Sequence, residues 1–143
     1  MYIKEISYED FNGEKVTEKF YFNFTKAELA TMNLEQEGGL QNYIERITNE
    51  RDTPKLIKLF QDLILKSYGV KSDDGKKFIK VKDGHKLAED FAQTDAYSEY
   101  FMLLVQDEKE AEKFINGVIP KSILDEAAKN QKNGGSTAVT KIE

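Results

Sequence analysis

Two aspartates and a glycine form the first group in the sequence whose residue types suggest chemistry. Asp73 and Asp74 precede Gly75, and carboxylates beside a glycine are typical of a calcium loop. An EF-hand loop also needs oxygen ligands at intervals after its glycine, and lysines occupy those places here. We therefore predict an ordinary turn rather than a calcium site.

Other candidate catalytic groups are few. His85 is the single histidine and has no neighbouring nucleophile or second metal ligand, and the chain has no cysteine. Glu108, Glu110 and Glu112 lie in the first turns of a predicted helix, where the helix dipole favours acidic residues without any catalytic role. Glycine motifs for phosphate binding are also missing. We expect no enzyme activity, no cofactor and no metal.

Length and charge narrow the class of protein. The chain has 143 residues, 33% of them charged, and a net charge of −5. This length fits one domain, and the excess of negative charge repels nucleic acid. The N-terminus carries acids where a secretory signal has basic residues, and no apolar stretch is long enough to span a membrane. We predict an intracellular protein without nucleic-acid or membrane partners.

The N-terminal segment has the pattern of a β-hairpin. Side chains alternate along residues 2–8, and Phe20, Phe22 and Phe24 repeat at a spacing of two, which predicts two strands. Between them, the dipeptide Asn12-Gly13 favours the positive φ angles of a tight type I′ turn. We expect the three phenylalanines to face a layer of helices.

Helical patterns begin after the hairpin. Thr25 and Glu28 have the form of a capping box, which predicts a short helix directly after Thr25. An apolar repeat of helical spacing starts at Leu40. The most apolar segment, residues 54–68, is predicted to be the central helix, with Gly69 as its C-terminal cap.

The second half of the chain is predicted to hold three further helices. The first runs from about His85 to Thr94, Thr94 then caps the next, and Asp107 caps the last, which is predicted to stop at Gly117. Together these patterns predict an α+β fold, in which an N-terminal β-hairpin packs on a mainly helical bundle. We expect one domain over residues 1–124 and a flexible, disordered C-terminal tail over 125–143, since the last residues are polar and lack apolar periodicity.

The order of several short motifs resembles that of a known family. Residues 56–120 are similar to the phage tail assembly chaperones of long-tailed phages that infect Gram-positive bacteria. The resemblance depends on five motifs that follow one another along the chain. They are Lys66-Ser67-Tyr68-Gly69, Ser72 with Asp74-Gly75-Lys76 and Phe78, Phe91 with Thr94 and Ala96-Tyr97, Phe101-Met102, and Phe114-Ile115-Asn116-Gly117 with Ile119-Pro120.

The resemblance implies a non-enzymatic assembly factor. Such chaperones act in the cytoplasm of the infected host, bind the long helical tape-measure protein, keep it soluble, help to recruit tail-tube subunits and are absent from the finished virion. Many also produce a longer form by ribosomal frameshifting, and Lys129-Asn130 and Lys132-Asn133 permit suitable codons. The alternative is a small acidic regulatory or anti-defence phage protein that binds one host protein.

Residues 97–119 carry more apolar side chains than the core of one small domain is expected to absorb. We therefore expect self-association and client binding through this segment, with six candidate partner-binding residues: Tyr97, Tyr100, Phe101, Phe114, Ile115 and Ile119. The simpler alternative is that Phe114, Ile115 and Ile119 close the core.

Overall fold

The structure, a computed structural model, describes residues 1–49 and 53–120. Within those residues it has the predicted α+β architecture, with an N-terminal hairpin packed against helices. The elements in chain order are β1 (Tyr2–Glu9), β2 (Lys15–Phe22), α1 (Lys26–Glu35), α2 (Gly39–Asn49), α3 (Thr53–Ser67), β3 (Tyr68–Lys71), β4 (Phe78–Ile79), β5 (Val81–Lys82), β6 (His85–Lys86), α4 (Leu87–Ala92), α5 (Asp95–Gln106) and α6 (Glu108–Val118). The predicted domain boundary at residue 124 and the predicted tail lie outside the described residues.

The hairpin is confirmed, but its turn is wider than predicted. β1 and β2 pair along their full lengths, and Asp10 and Glu14 close the loop through a 2.8 Å bond from the Asp10 N–H to the Glu14 carbonyl. Within this loop only Gly13 takes a positive φ, 81°. The Asp10 carboxylate accepts the N–H groups of Asn12 and Glu14, each at 2.9 Å. These bonds stabilise a three-residue loop instead of the type I′ turn.

Two further strands extend the hairpin into a sheet of order β1-β2-β3-β4. Gly69 lies within β3, and α3 ends before it at Ser67, so the predicted C-cap is wrong. A Cβ at Gly69 would come within 2.5 Å of Phe78 Cε2 and 2.8 Å of the Ile79 carbonyl oxygen. Glycine is required here because β4 approaches the backbone closely.

The first three helices follow the predicted patterns. At the start of α1, Thr25 Oγ1 accepts the Glu28 N–H at 3.2 Å and Glu28 accepts the Thr25 N–H at 2.8 Å, which confirms the capping box. α3 packs against α2, α4 and α5, and Leu63 and Ile64 on it are fully buried. The prediction that this segment forms the central helix is therefore confirmed.

Two boundaries differ in the second half of the chain. α4 begins at Leu87 rather than His85, because His85 and Lys86 pair with β5. Gly117 lies inside α6 instead of ending it, and Tyr2 packs where a Cβ would stand. The glycine therefore allows α6 to approach β1, which sequence periodicity could not reveal.

Helices α5 and α6 are capped as predicted, and the caps fix the chain direction between them. Thr94 Oγ1 accepts the Tyr97 N–H at 3.3 Å. The Asp107 carboxylate accepts the N–H groups of Lys109 and Glu110 at 3.0 and 3.3 Å. Asp107 both ends α5 and starts α6, so the two helices are joined by a single residue.

An aromatic cluster joins the sheet to the helices. The Phe22 ring lies 5.4 Å from that of Tyr100 and 5.5 Å from that of Phe114, measured between centroids. Phe91 stacks on Tyr68 at 4.2 Å. Because such contacts add to the burial of large apolar surfaces, the hairpin and the helices form one core.

Candidate partner-binding surfaces

The six predicted partner-binding residues divide into two groups. Four have less than 4% of their surface exposed in the described chain: Tyr100, Phe114, Ile115 and Ile119. They close the core, as the simpler alternative expected of Phe114, Ile115 and Ile119. Tyr97 and Phe101 are only half-buried and stack with their ring centroids 6.0 Å apart. The assignment of all six to partner binding stays a prediction, but these two offer the larger surface.

A half-buried stripe runs along α5 from this aromatic pair. Tyr97, Phe101 and Val105 are spaced by four residues and all three are half-buried, so they share one side of the helix. Burial raises the pKa of the Tyr97 hydroxyl above its ordinary value. The stripe ends in an open cleft at Val105.

This first cleft, named the acidic cleft, lies between α2, α3, α5 and α6 and has a volume of about 250 Å³. Its floor is apolar, and two carboxylates one helical turn apart on α6 lie at its rim. The lining residues are Ile47, Leu56, Phe60, Leu104, Val105, Ala111 and Ile115, with Glu108 and Glu112. The site thus combines apolar contact with negative charge.

Local sequence explains why the acidic cleft stays open. The Asp107 cap starts α6 immediately after α5, which places Glu108 and Glu112 beside the end of the α5 stripe. Ala111 lies on the same side of α6, and its small side chain leaves space that a leucine would fill. Helical spacing predicted these apolar faces, but the gap between four helices depends on tertiary packing.

A second cleft, named the lysine cleft, lies between α3, α4 and strands β3, β5 and β6, with a volume of about 400 Å³. Most of its lining surface is apolar. The charged side chains that line it are three lysines and two carboxylates. The lining residues are Leu65, Tyr68, Val81, Ala88 and Ala92, with Lys66, Lys80, Lys86, Asp62 and Glu89.

Lys80 fixes one side of the lysine cleft. Its Nζ donates to Glu28 Oε2 and to the Lys66 carbonyl, both at 2.8 Å, and lies 4.9 Å from the centre of the Phe24 ring. Burial lowers the pKa of the Lys80 ammonium group. Burial also acts to raise the pKa of the Glu28 carboxyl, but bonds from Lys80 and Thr25 outweigh it, so the net direction is down.

The groups that first suggested chemistry have structural partners. Asp74 accepts Ser72 Oγ at 2.7 Å and the Lys76 N–H at 3.0 Å, and these bonds lower the pKa of its carboxyl. The predicted turn is confirmed. His85 is exposed and bonds to Asp90 at 2.8 Å. Among residues 1–49 and 53–120, no three or more acidic or histidine side chains gather as a metal site would require.

Comparison with protein families supplies the identity that these surfaces leave open. A family model described as "Phage tail assembly chaperone" matches residues 1–142. The chain belongs to this family. The match extends well beyond residues 56–120, on which the sequence resemblance depended, and includes the hairpin. Whether the host is Gram-positive stays a prediction.

The other comparisons found no relative of this chaperone. Searches of curated proteins and of solved structures returned no match. In the part of the chaperone that the structure describes, no helix is long and apolar enough to cross a membrane. The family match therefore remains the basis for its function.

Proposed function

We propose that this chaperone binds the tape-measure protein of its phage and keeps it soluble during tail assembly. It does so without catalysis, in the cytoplasm of the infected host, and is left out of the finished virion. The observation that carries this proposal is the family match over residues 1–142. The match favours assembly over the alternative of a regulatory or anti-defence protein. The tail-tube protein is a further candidate partner.

The acidic cleft and the α5 stripe are the proposed client site. A tape-measure protein is expected to be long and helical, and helices dock in grooves through apolar anchors at positions i, i+4 and i+7. Tyr97, Phe101 and Val105 offer a row of matching length on α5. A client helix along this row would place one anchor in the cleft and cover the exposed half of each side chain.

Charge defines the client segment further. Glu108 and Glu112 at the rim favour lysine or arginine beside the client's anchors, because charge-assisted hydrogen bonds to carboxylates are stronger than neutral ones. The preferred segment is therefore an amphipathic helix with a basic residue about one turn from its central anchor. An acidic helix of the same apolar pattern would be repelled, so the cleft can select among segments.

Co-expression of the chaperone with its tape-measure protein tests this site. The parent chaperone should move the client into the soluble fraction, and Val105→Asp should abolish this because a carboxylate replaces an apolar group at the cleft. Met102→Asp is the matched control. Met102 lies on the same helix, is 46% exposed and does not line the cleft. Circular dichroism and melting temperature confirm that both variants fold.

Two outcomes would contradict the proposal at different levels. If folded Val105→Asp solubilises the client as well as the parent, the cleft is the wrong site although the function stands. If the parent itself leaves the client insoluble, the proposed function fails. Glu108→Lys combined with Glu112→Lys should weaken client binding while the apolar floor is intact, which separates the role of charge from that of apolar contact.

A further inference from the structure

One edge of the sheet is long and unpaired in the described chain. β1 spans eight residues and is the first strand in the order β1-β2-β3-β4. Among residues 1–49 and 53–120, no strand pairs with its other side. The unpaired backbone groups of an edge strand are a template for another strand, and folded proteins usually cover or blunt such an edge.

The hairpin register identifies the backbone groups that this edge offers. The Asp10 N–H donates to the Glu14 carbonyl, and opposite residues of an antiparallel pair alternate between hydrogen-bonded and non-bonded positions. Counted back along the register, the even-numbered residues of β1 bond to β2. The odd-numbered residues, from Ile3 to Glu9, therefore direct their N–H and carbonyl groups away from β2.

An open cleft, named the edge cleft, follows the same strand. It has a volume of about 230 Å³ and is lined by residues 4–7 of β1 and by Glu99, Tyr100 and Leu103 of α5. Ile3, at the beginning of the edge, is 49% exposed. A strand beside β1 would turn every second side chain toward α5. The edge cleft therefore has room for an apolar side chain of that strand.

The chain leaves the described part of the molecule beside the beginning of β1. Tyr2 packs where a Cβ of Gly117 would stand, and Pro120, three residues later, is the last described residue. Residues 121–136 follow, and an extended chain spans about 3.3 Å per residue. This connection is long enough to bring residues 137–143 to the open edge.

Residues 137–143, Thr-Ala-Val-Thr-Lys-Ile-Glu, have the composition of a strand. Four of the seven are β-branched, and Gly134-Gly135 lie just before them. Such residues favour strands, and glycines often mark strand ends. The polarity of the whole tail predicts disorder, and a single short strand is not stable by itself. Pairing with an existing edge would supply the backbone partners that the segment lacks.

We propose that residues 137–143 form a strand on the open edge of β1 in the same chain. The strand runs parallel to β1, because the chain arrives beside Tyr2, where β1 begins. It extends the sheet to five strands and covers the backbone groups that would otherwise pair with another chain. The hairpin of the chaperone is then closed at the edge that β1 leaves open.

Side-chain pattern assigns the register of this strand. With Val139 beside Ile3, Ile142 lies beside Ile6 and enters the edge cleft, while Val139 covers the exposed side of Ile3. Lys141 then lies beside Glu5. Glu5 already faces Lys19 of β2, so this exposed charge pair contributes little. Apolar contact and backbone hydrogen bonds carry the pairing.

Hydrogen exchange of the β1 amides, measured by NMR without any client, tests this strand. In the full-length chain, the N–H groups of Ile3, Glu5 and Ser7 should exchange at least about tenfold more slowly than in a chain that ends at Gly135. The shortened chain keeps every described residue. The Glu9 N–H is the internal control. Because residue 143 lies beside Ser7 in this register, Glu9 lies beyond the strand and should exchange equally in both chains.

Two proline variants test the register. In a parallel pair with this register, the N–H of residue 140 points to β1 and that of residue 141 points away. Thr140→Pro should therefore remove the protection of Ile3, Glu5 and Ser7. Lys141→Pro is the matched control and should keep it, because proline is tolerated in an edge strand where its nitrogen faces solvent.

A spin label determines the direction and the source of the strand. The natural chain has no cysteine, so Glu143→Cys carries the only label. The label should broaden the amide signal of Ser7 more than that of Tyr2, as a parallel strand requires. Dilute spin-labelled chain mixed with isotope-labelled parent should leave the β1 signals of the parent unchanged, because each chain supplies its own strand.

Other results overturn the proposal. It is wrong if removal of residues 136–143 leaves the exchange of Ile3, Glu5 and Ser7 unchanged, or if the two proline variants behave alike. Stronger broadening at Tyr2 would contradict the parallel direction, and broadening in the mixture would assign the strand to a second copy. Because no client is present, none of these results affects the proposed client site.

Discussion

The acidic cleft and the lysine cleft use different faces of the same helix. α3 contributes Leu56 and Phe60 to the first and Leu65 and Lys66 to the second. Both have apolar floors, but carboxylates border one and ammonium groups outnumber carboxylates around the other. The net charge of −5 therefore agrees in sign with the acidic cleft but does not predict the lysines that line the other. The comparison teaches that contact specificity depends on local charge, which only folding brings together.

The largest expected effect concerns the helix that both clefts share. Leu63 is fully buried on α3, the helix that the clefts share. Leu63→Ala should lower the free energy of unfolding by about 2–5 kcal/mol, the usual cost of a cavity in a filled core. Leu34→Ala, at a 76% exposed leucine, should change it by less than about 0.5 kcal/mol. Urea denaturation of both variants provides the measurement, and equal midpoints would contradict this assignment of the core.

A substitution with a smaller effect should distort the lysine cleft and leave the acidic cleft intact. Gly69→Ala would place a Cβ within 2.5 Å of Phe78 and 2.8 Å of the Ile79 carbonyl, so β3 and β4 must separate. Such overpacking typically costs about 1–3 kcal/mol. The NMR chemical shifts of the lysine cleft should change because Tyr68, Lys80 and Val81 near these strands line it.

Client solubilisation provides the control for Gly69→Ala. It should persist below the variant's melting temperature, because no residue of β3 or β4 lines the acidic cleft as described. If this substitution abolished client solubilisation in a folded protein, the two clefts would not be independent.

The sequence predicted what is local and missed what is not. Thr25, Thr94 and Asp107 were identified as caps because a cap depends on residues within one helical turn. Gly69 and Gly117 were misassigned because a glycine that allows a distant strand or ring to approach resembles one that ends a helix. The two-residue strands β4, β5 and β6 carry too few residues for a periodic signal.

The candidate surfaces show the same contrast between local features and tertiary contacts. Helical spacing identified the apolar side of α5, but not which members would be covered by β1 and α6. Tyr100 packs on Phe22 of the hairpin, about eighty residues away in sequence, and only such contacts decide between core and surface. Lys66 lies in α3, Lys80 between β4 and β5, and Lys86 in β6. No local motif could therefore predict the lysine cleft.

The ion pair beside the lysine cleft predicts a modest pH effect. In the folded state the pKa of the Glu28 carboxyl is lowered, since Lys80 and Thr25 outweigh the opposing effect of burial. A lowered pKa stabilises the fold above the unfolded value of about 4.3, and this stabilisation is lost as pH falls through the folded pKa. The contribution should stay under about 1 kcal/mol because Glu28 is partly exposed.

Denaturation of the parent and of Glu28→Gln at several pH values measures this effect. The difference in unfolding free energy should be present at neutral pH and vanish in acid. Glu35→Gln on the same helix is a control without an ion pair to Lys80. A difference that grew as the pH fell would show that the sign is wrong.

The smallest effect concerns His85, which precedes Lys86 of the lysine cleft in sequence. Its bond to Asp90 is the main cause that raises the pKa of the imidazole above 6.5. A raised pKa stabilises the fold at pH values below the unfolded pKa, and this stabilisation is lost as pH rises through the folded pKa. Because His85 is fully exposed, the change in unfolding free energy is too small to measure.

NMR titration of the ring protons detects the pKa shift of His85 directly. Asp90→Asn should bring the pKa down, and Glu89→Gln, at a minor contributor, should lower it less. Equal titration curves for the parent and Asp90→Asn would mean that the 2.8 Å contact does not persist in solution.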